Sequence, residues 1–155
     1  MNLAFGADHA GFELKQYLLA IARDLGHTVN DLGTFGPESV DYPDYGEAVG
    51  KAVVAGQAEL GVVICSNGVG ISIAANKVPG VRCALCHSSW GAARSRQHTN
   101  ANVLALGAME VGKGVAGEIL EAFLSNEFEG GRHARRLARV AEIEARGIAR
   151  EAAVS

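Results

Sequence analysis

Leu60-Gly61-Val62-Val63-Ile64-Cys65-Ser66-Asn67-Gly68-Val69-Gly70-Ile71-Ser72-Ile73-Ala74-Ala75-Asn76-Lys77 is the stretch on which the fold turns. The run from Leu60 to Ile64 is short and continuously apolar, as a strand buried on both faces must be. A thiol, Cys65, ends it. Gly68 and Gly70 then let the backbone turn sharply and let a ligand come close, and a segment of small residues begins a helix whose first N–H groups can face an anion. Strand, tight loop and helix start make one unit of an α/β sheet. Ligands of such sheets gather at the carboxyl ends of the strands, so Cys65 is a candidate chemical group beside an anion nest. The alternative is a small core cysteine with glycines that only turn the chain.

Outward from this unit the pattern repeats. Leu3–Gly6, Thr28–Leu32, Val81–Cys86 and Val103–Leu106 read as further strands, giving a five-stranded parallel sheet with helices on both faces. Leu14, Tyr17, Leu18, Ile21 and Leu25 recur at helical spacing, and Gly26 stands where a C-terminal cap belongs. Pro43 opens a second helix and Gly56 follows it, and Val78-Pro79-Gly80 closes a third. Ile119, Leu120, Phe123 and Leu124 form an apolar stripe on a later helix. Gly130-Gly131 separates it from a final polar helix at about 132–147, whose narrow edge of Leu137, Val140 and Ile143 suits a neighbouring subunit better than a core.

The chain has 155 residues, 48% hydrophobic and 20% charged, enough for one domain over 1–150 with a short tail at 151–155. A net charge of −3 gives no footprint for nucleic acid or for an anionic membrane, so any anion is bound locally. No apolar run reaches transmembrane length and no secretory leader pattern opens the chain, which points to the cytoplasm. Three cysteines, an odd number, fit a reducing compartment better than a disulfide framework.

Three further runs carry chemistry. Ala7-Asp8-His9-Ala10-Gly11 sets a carboxylate beside an imidazole at the end of the first strand, where they could open a sugar ring or grip a phosphate. The alternative is that Asp8 caps a helix and His9 is solvated. In Arg94-Ser95-Arg96-Gln97-His98-Thr99-Asn100-Ala101-Asn102, expected between a helix and the fifth strand, His98 could serve as acid or base near neutral pH. Arg132 and Arg136 stand at i and i+4, either as a phosphate clamp or as a solvated basic face. The first turn lacks Gly-x-Gly-x-x-Gly, so the dinucleotide fingerprint is missing. A cysteine phosphatase needs an arginine six residues after its nucleophile, and Ile71 stands there. Cys83 and Cys86 form a lone C-x-x-C within a strand, which sends the two thiols to opposite faces and disfavours zinc.

These motifs resemble those of the type B ribose-5-phosphate isomerases, whose superfamily includes the galactose-6-phosphate isomerase subunits. The resemblance is carried by Asp8-His9-Ala10-Gly11, Asp41-Tyr42-Pro43, Cys65 with Gly68-x-Gly70-Ile71-Ser72-Ile73-Ala74-Ala75-Asn76-Lys77, Ser95-Arg96-Gln97-His98, Asn102-Val103-Leu104 and Glu129-Gly130-Gly131-Arg132-His133. They span nearly the whole chain. The resemblance implies a single Rossmann-like three-layer domain and no metal or organic cofactor. It also implies a homodimer, in some members paired into a tetramer, with active sites at the subunit interface. The substrate it implies is a small sugar phosphate, ribose 5-phosphate interconverting with ribulose 5-phosphate. It makes Cys65 the catalytic base, His98 the ring-opening acid/base, and Asp8 a contact to the sugar. His9, Arg132 and Arg136 would hold the phosphate, and the amides from Asn67 to Gly70 would face the enediolate. Tyr42, Ser66, Gly68, Val69, Gly70, Ser72 and Thr99 complete the expected contacts. The chain departs from the family pattern at Asn67, where threonine is frequent, at Thr99, where asparagine is usual, and at Met109, where an arginine often stands. These departures leave open an isomerase of another aldose phosphate, such as allose 6-phosphate. A non-catalytic phosphosugar- or nucleotide-binding module is the rival from another class. A thiol, an imidazole and a carboxylate together disfavour it, because pure binding needs no base.

Overall fold

The computed structural model describes residues 1–154. Strands β1 (Asn2–Ala7), β2 (Thr28–Asp31), β3 (Leu60–Cys65), β4 (Cys83–Leu85) and β5 (Val103–Gly107) alternate with helices α1 (Phe12–Asp24), α2 (Tyr42–Val54), α3 (Val69–Asn76), α4 (Ser89–Thr99), α5 (Lys113–Ser125) and α6 (Arg132–Val154). All pairings are parallel, in the order β2-β1-β3-β5-β4. The five-stranded parallel sheet expected from the apolar runs is present, and the fold is Rossmann-like α/β.

Strand alternation sorts the core into two layers. Leu3, Phe5, Val62, Ile64, Leu104 and Leu106 meet Leu14 and Leu18 of α1 and Ile119, Leu120 and Phe123 of α5. On the other face Ala4, Val63, Cys65, Val103 and Ala105 meet Val49 and Ala52 of α2 and Ile71 and Ala75 of α3. Small residues set the approach of this second layer: a Cβ on Gly61 would stand 2.5 Å from Val49 Cγ1. Every residue of β3 is buried, as its continuous apolar run requires.

Three elements differ from the sequence expectation by more than one residue. Only Cys83–Leu85 of the expected Val81–Cys86 run is strand. The Arg82 and Cys83 amides donate to the Asn102 and Asn76 side-chain carbonyls at 2.7 and 2.8 Å, so side chains satisfy what a longer ladder would have used. Helix α3 ends at Asn76 and the Val78-Pro79-Gly80 turn closes it, as expected. The Arg94–Thr99 run is the end of α4 rather than a connection, and the helix stops at Asn100, whose left-handed φ of 46° serves as its C-cap. Helix α6 continues to Val154, past its expected end near 147, so the expected tail at 151–155 is helical as far as described and Ser155 lies outside the described residues. Among the described residues no helix is long and apolar enough to cross a membrane.

Candidate active site

The carboxyl ends of β1 and β3 hold the first group of chemical side chains. Asp8 is buried, its Oδ1 accepts from the Gly11 amide at 3.0 Å, and its own amide donates to Ile64 O, tying the β1 turn to β3. Next to it His9 is exposed, and its Nδ1 accepts from the Val40 amide at 3.2 Å. Cys65 is 3% exposed, and its Sγ accepts from the Gly68 amide at 3.2 Å. That bond needs Gly68 in the left-handed region, at φ 77°, where a Cβ would also lie 2.8 Å from the carbonyl carbon of Leu106. Asn67 Oδ1 accepts from the Val69 amide at 3.0 Å, so the Gly68 and Val69 N–H groups already have partners. The first-turn amides of α3 left for an oxyanion are those of Gly70 and Ile71. Tyr42 closes one side: a Cβ on Gly70 would stand 2.6 Å from its Cζ.

Two expected contacts are turned to other partners. The Ser72 hydroxyl donates to Val69 O at 2.7 Å, and the Thr99 hydroxyl to Ser95 O at 2.6 Å. The loop after β5 is laced onto the thiol loop, with the Ala108 and Met109 amides donating to Cys65 O and Ser66 O at 2.9 Å each. Met109 is therefore at the thiol end of the sheet, 80% exposed, with Ser66 half-buried beneath it.

A second group forms where α4, the loop before α6 and α6 meet. The His98 and His133 rings stack with centroids 4.2 Å apart and planes within 10°. Glu129 Oε2 lies 3.9 Å from His98 Nε2 and 3.7 Å from His133 Nε2, and the Arg132 Nε–H donates to His133 Nε2 at 3.5 Å. Backbone geometry assembles this group: Gly130 and Gly131 both take positive φ (66° and 54°), and the Glu129 amide donates to Gln97 O at 3.0 Å. Burial pushes the His133 pKa down, the neighbouring His98 and Arg132 push the same way, Glu129 opposes them, and Arg136 adds to the lowering. His98, Glu129 and His133 offer ligand atoms within 4.8 Å of one another. The His133 lone pair is nevertheless taken by Arg132, and two guanidinium groups beside the cluster favour an anion over a divalent cation. Sequence reading named His98, Arg132 and Arg136 but gave no role to Glu129 or His133. No spacing rule links either of them to His98 on α4; the only signal was their place, four residues apart, in the Glu129–His133 motif.

The two groups lie at opposite ends of the sheet. β4 and β5 are parallel, so α4, which leaves the carboxyl end of β4 and delivers the chain to the amino end of β5, runs back along the whole sheet. Eleven helical residues span ~16 Å, which puts His98 at the amino end and Cys65 at the carboxyl end. One chain holds two separated groups of candidate chemical side chains.

Of the other two thiols, Cys86 is buried and Cys83 half-buried. Cys83 packs with the α2/α3 layer and Cys86 with the α1/α5 layer, on the two faces expected. Burial first, and then the neighbouring Cys86, pushes the Cys83 thiol up to about 12; burial likewise raises that of Cys86.

The fold is a parallel α/β sheet of Rossmann-like type, with a strand-end thiol beside free helix-start amides and a separate imidazole–arginine group, and its relatives make it an aldose–ketose isomerase. Residues 3–140 match the family model of the Ribose/Galactose Isomerase family, and the chain belongs to that family. It is 45% identical over 145 residues to ribose-5-phosphate isomerase B of Escherichia coli (strain K12), covering 94% of this chain and 97% of that one. It is 38% identical over 146 residues to D-erythrulose-4-phosphate isomerase of Pectobacterium atrosepticum, covering 93% and 95% of the two chains. The solved structure of ribose-5-phosphate isomerase B from Clostridium thermocellum superposes with a TM-score of 0.93 at 49% identity, over 94% of this chain and 99% of that one.

Proposed function

We propose that the protein interconverts ribose 5-phosphate and ribulose 5-phosphate without a cofactor, through a cis-enediolate. The observation that carries this reading is the Cys65 sulfur held by the Gly68 amide beside the open Gly70 and Ile71 amides. An aldose–ketose interconversion removes a proton from the carbon next to the carbonyl and returns it to the neighbouring carbon. Cys65 takes that proton, and the amides receive the charge that develops on oxygen, a contribution of about 2.7–4 kcal/mol per donor. Asp8 contacts the sugar hydroxyls. His98 moves the proton that opens the furanose ring, and Arg132, Arg136 and His9 hold the phosphate.

Because His98 and Cys65 sit at opposite ends of one sheet, the working site pairs the carboxyl-end half of one chain with the amino-end half of a second copy. A C2 homodimer supplies two such sites. Features of the surface support it. β4 is an edge strand, and the apolar edge of α6 faces it across a cavity of about 590 Å³ lined by Val81, Ala84, Leu137, Val140 and Ile143. Val140 and Ile143 are 51% and 61% exposed in the single chain.

The test is kcat/KM on ribose 5-phosphate beside allose 6-phosphate, D-erythrulose 4-phosphate and unphosphorylated ribose. The expected order puts ribose 5-phosphate first and ribose last. Preference for another phosphate would make Asn67 and Met109 specificity determinants, and silence on all four would favour the binding module. Arg136→Ala is expected to raise KM by ~10-fold or more with little change in kcat, since a charge-assisted bond to phosphate acts equally in ground and transition states. An unchanged KM would remove Arg136 from the phosphate site.

A further inference from the structure

Two imidazoles stacked face to face, one half-exposed and one almost wholly buried, divide their work by environment. His98 has 35% of its side chain exposed and can reach a substrate, whereas His133 has 6% exposed. His133 touches both functional groups of this half-site: its ring face lies against His98, and its Nε2 accepts the Nε–H of Arg132. Glu129 stands near both rings, closer to His133 by 0.2 Å, on the evidence of the 3.7 and 3.9 Å separations. A ring nitrogen that accepts from a guanidinium carries no proton of its own, so His133 offers Arg132 a lone pair at Nε2.

We propose that His133 is a positioning residue that fixes the plane of the His98 ring by stacking and the direction of the Arg132 guanidinium by accepting its Nε–H. The proposal rests on the reading of His98 as the ring-opening group and of Arg132 as a phosphate ligand. Its two contacts are chemically separable. Phenylalanine at 133 keeps an aromatic face for His98 and removes the acceptor for Arg132. Asparagine keeps a carbonyl acceptor and removes the face.

The experiment compares His133→Phe, His133→Asn and His98→Asn with the parent protein on ribose 5-phosphate, with circular dichroism and thermal unfolding run on each. His133→Phe is expected to raise KM ~3–10-fold while kcat stays within about threefold, the effect of a lost orienting hydrogen bond. His133→Asn is expected to lower kcat by ~10-fold or more with a smaller change in KM, the effect of a misaligned acid/base. A merely structural residue would not divide KM from kcat between the two variants. If both folded variants lose kcat alike at unchanged KM, or keep parent values while His98→Asn is inactive, the positioning role is overturned and the reading of His98 stands. A His98→Asn variant at parent kcat would overturn both.

Discussion

Cys65→Ala is expected to lower kcat on ribose 5-phosphate by at least ~100-fold, the lower bound for removing a positioned general base. The sulfur accepts from the Gly68 amide, and among the described residues no ionisable side chain is hydrogen-bonded to it, so none is placed to take over the proton. The fold should survive. Cys65 is a small side chain in the layer that also holds Ile71 and Ala75, and alanine removes one atom from a strand whose other residues are all buried. The checks are steady-state turnover and an unfolding curve on the same preparation. Residual turnover above a few per cent of the parent would take the thiol out of the mechanism, whereas lost turnover with an unchanged unfolding midpoint is the result expected.

Lys15→Met is expected to destabilise the chain by ~3 kcal/mol. Lys15 has no exposed surface, pairs with Asp31, donates to Thr34 O at 2.8 Å and lies over the Phe35 ring at 5.2 Å. Removing one partner of a buried pair typically costs ~3–5 kcal/mol because the other charge is left uncompensated. Asp31 is 20% exposed and keeps the Gly33 amide as a donor, which places the expected loss at the low end. The segment that Lys15 fixes also borders the half-site, since Gly33 and Thr34 exchange backbone bonds of 2.7 Å with Ala7, next to Asp8. Loss of stability should therefore come with a loss of kcat/KM. Chemical denaturation measures the first, and a shift below 1 kcal/mol would show that the pair contributes no more than an exposed one.

How much of this was legible in the sequence differs by element. Continuous apolar runs announced β3 and β5 because a strand buried on both faces leaves no choice of residue. Helix α1 was found from its apolar spacing, yet the buried face is Leu14, Lys15, Leu18, Leu19 and Ala22, and Leu25 is 46% exposed. Periodicity counts a lysine as polar and cannot know that a carboxylate waits on β2. Strand β4 was overestimated because alternation does not reveal that the Asn76 and Asn102 side chains take the flanking amides. His98 was expected in a connection, although Arg94–Thr99 contains neither glycine nor proline and Asn100 is a plausible left-handed cap. The residue types of both half-sites were legible from their motifs. Their separation was not read, since motif order along the chain does not state which end of the sheet a helix terminus reaches; the parallel pairing of β4 and β5 decides it. Glu129 and His133 lie four residues apart in one motif, but their role depends on contact with His98 on another element, which no local pattern announces.

The separation of the half-sites leads to the most direct test of the whole account. Cys65→Ala and His98→Asn proteins, each nearly inactive alone, are mixed in equal amounts, unfolded together and refolded. In a C2 dimer whose sites combine opposite ends of two chains, half of the dimers are mixed and each mixed dimer holds one intact site of two. Mixing is therefore expected to restore about a quarter of the parent activity. Activity no higher than the average of the two separate variants would contradict a site shared between chains, and with it the assignment of Cys65 and His98 to one reaction.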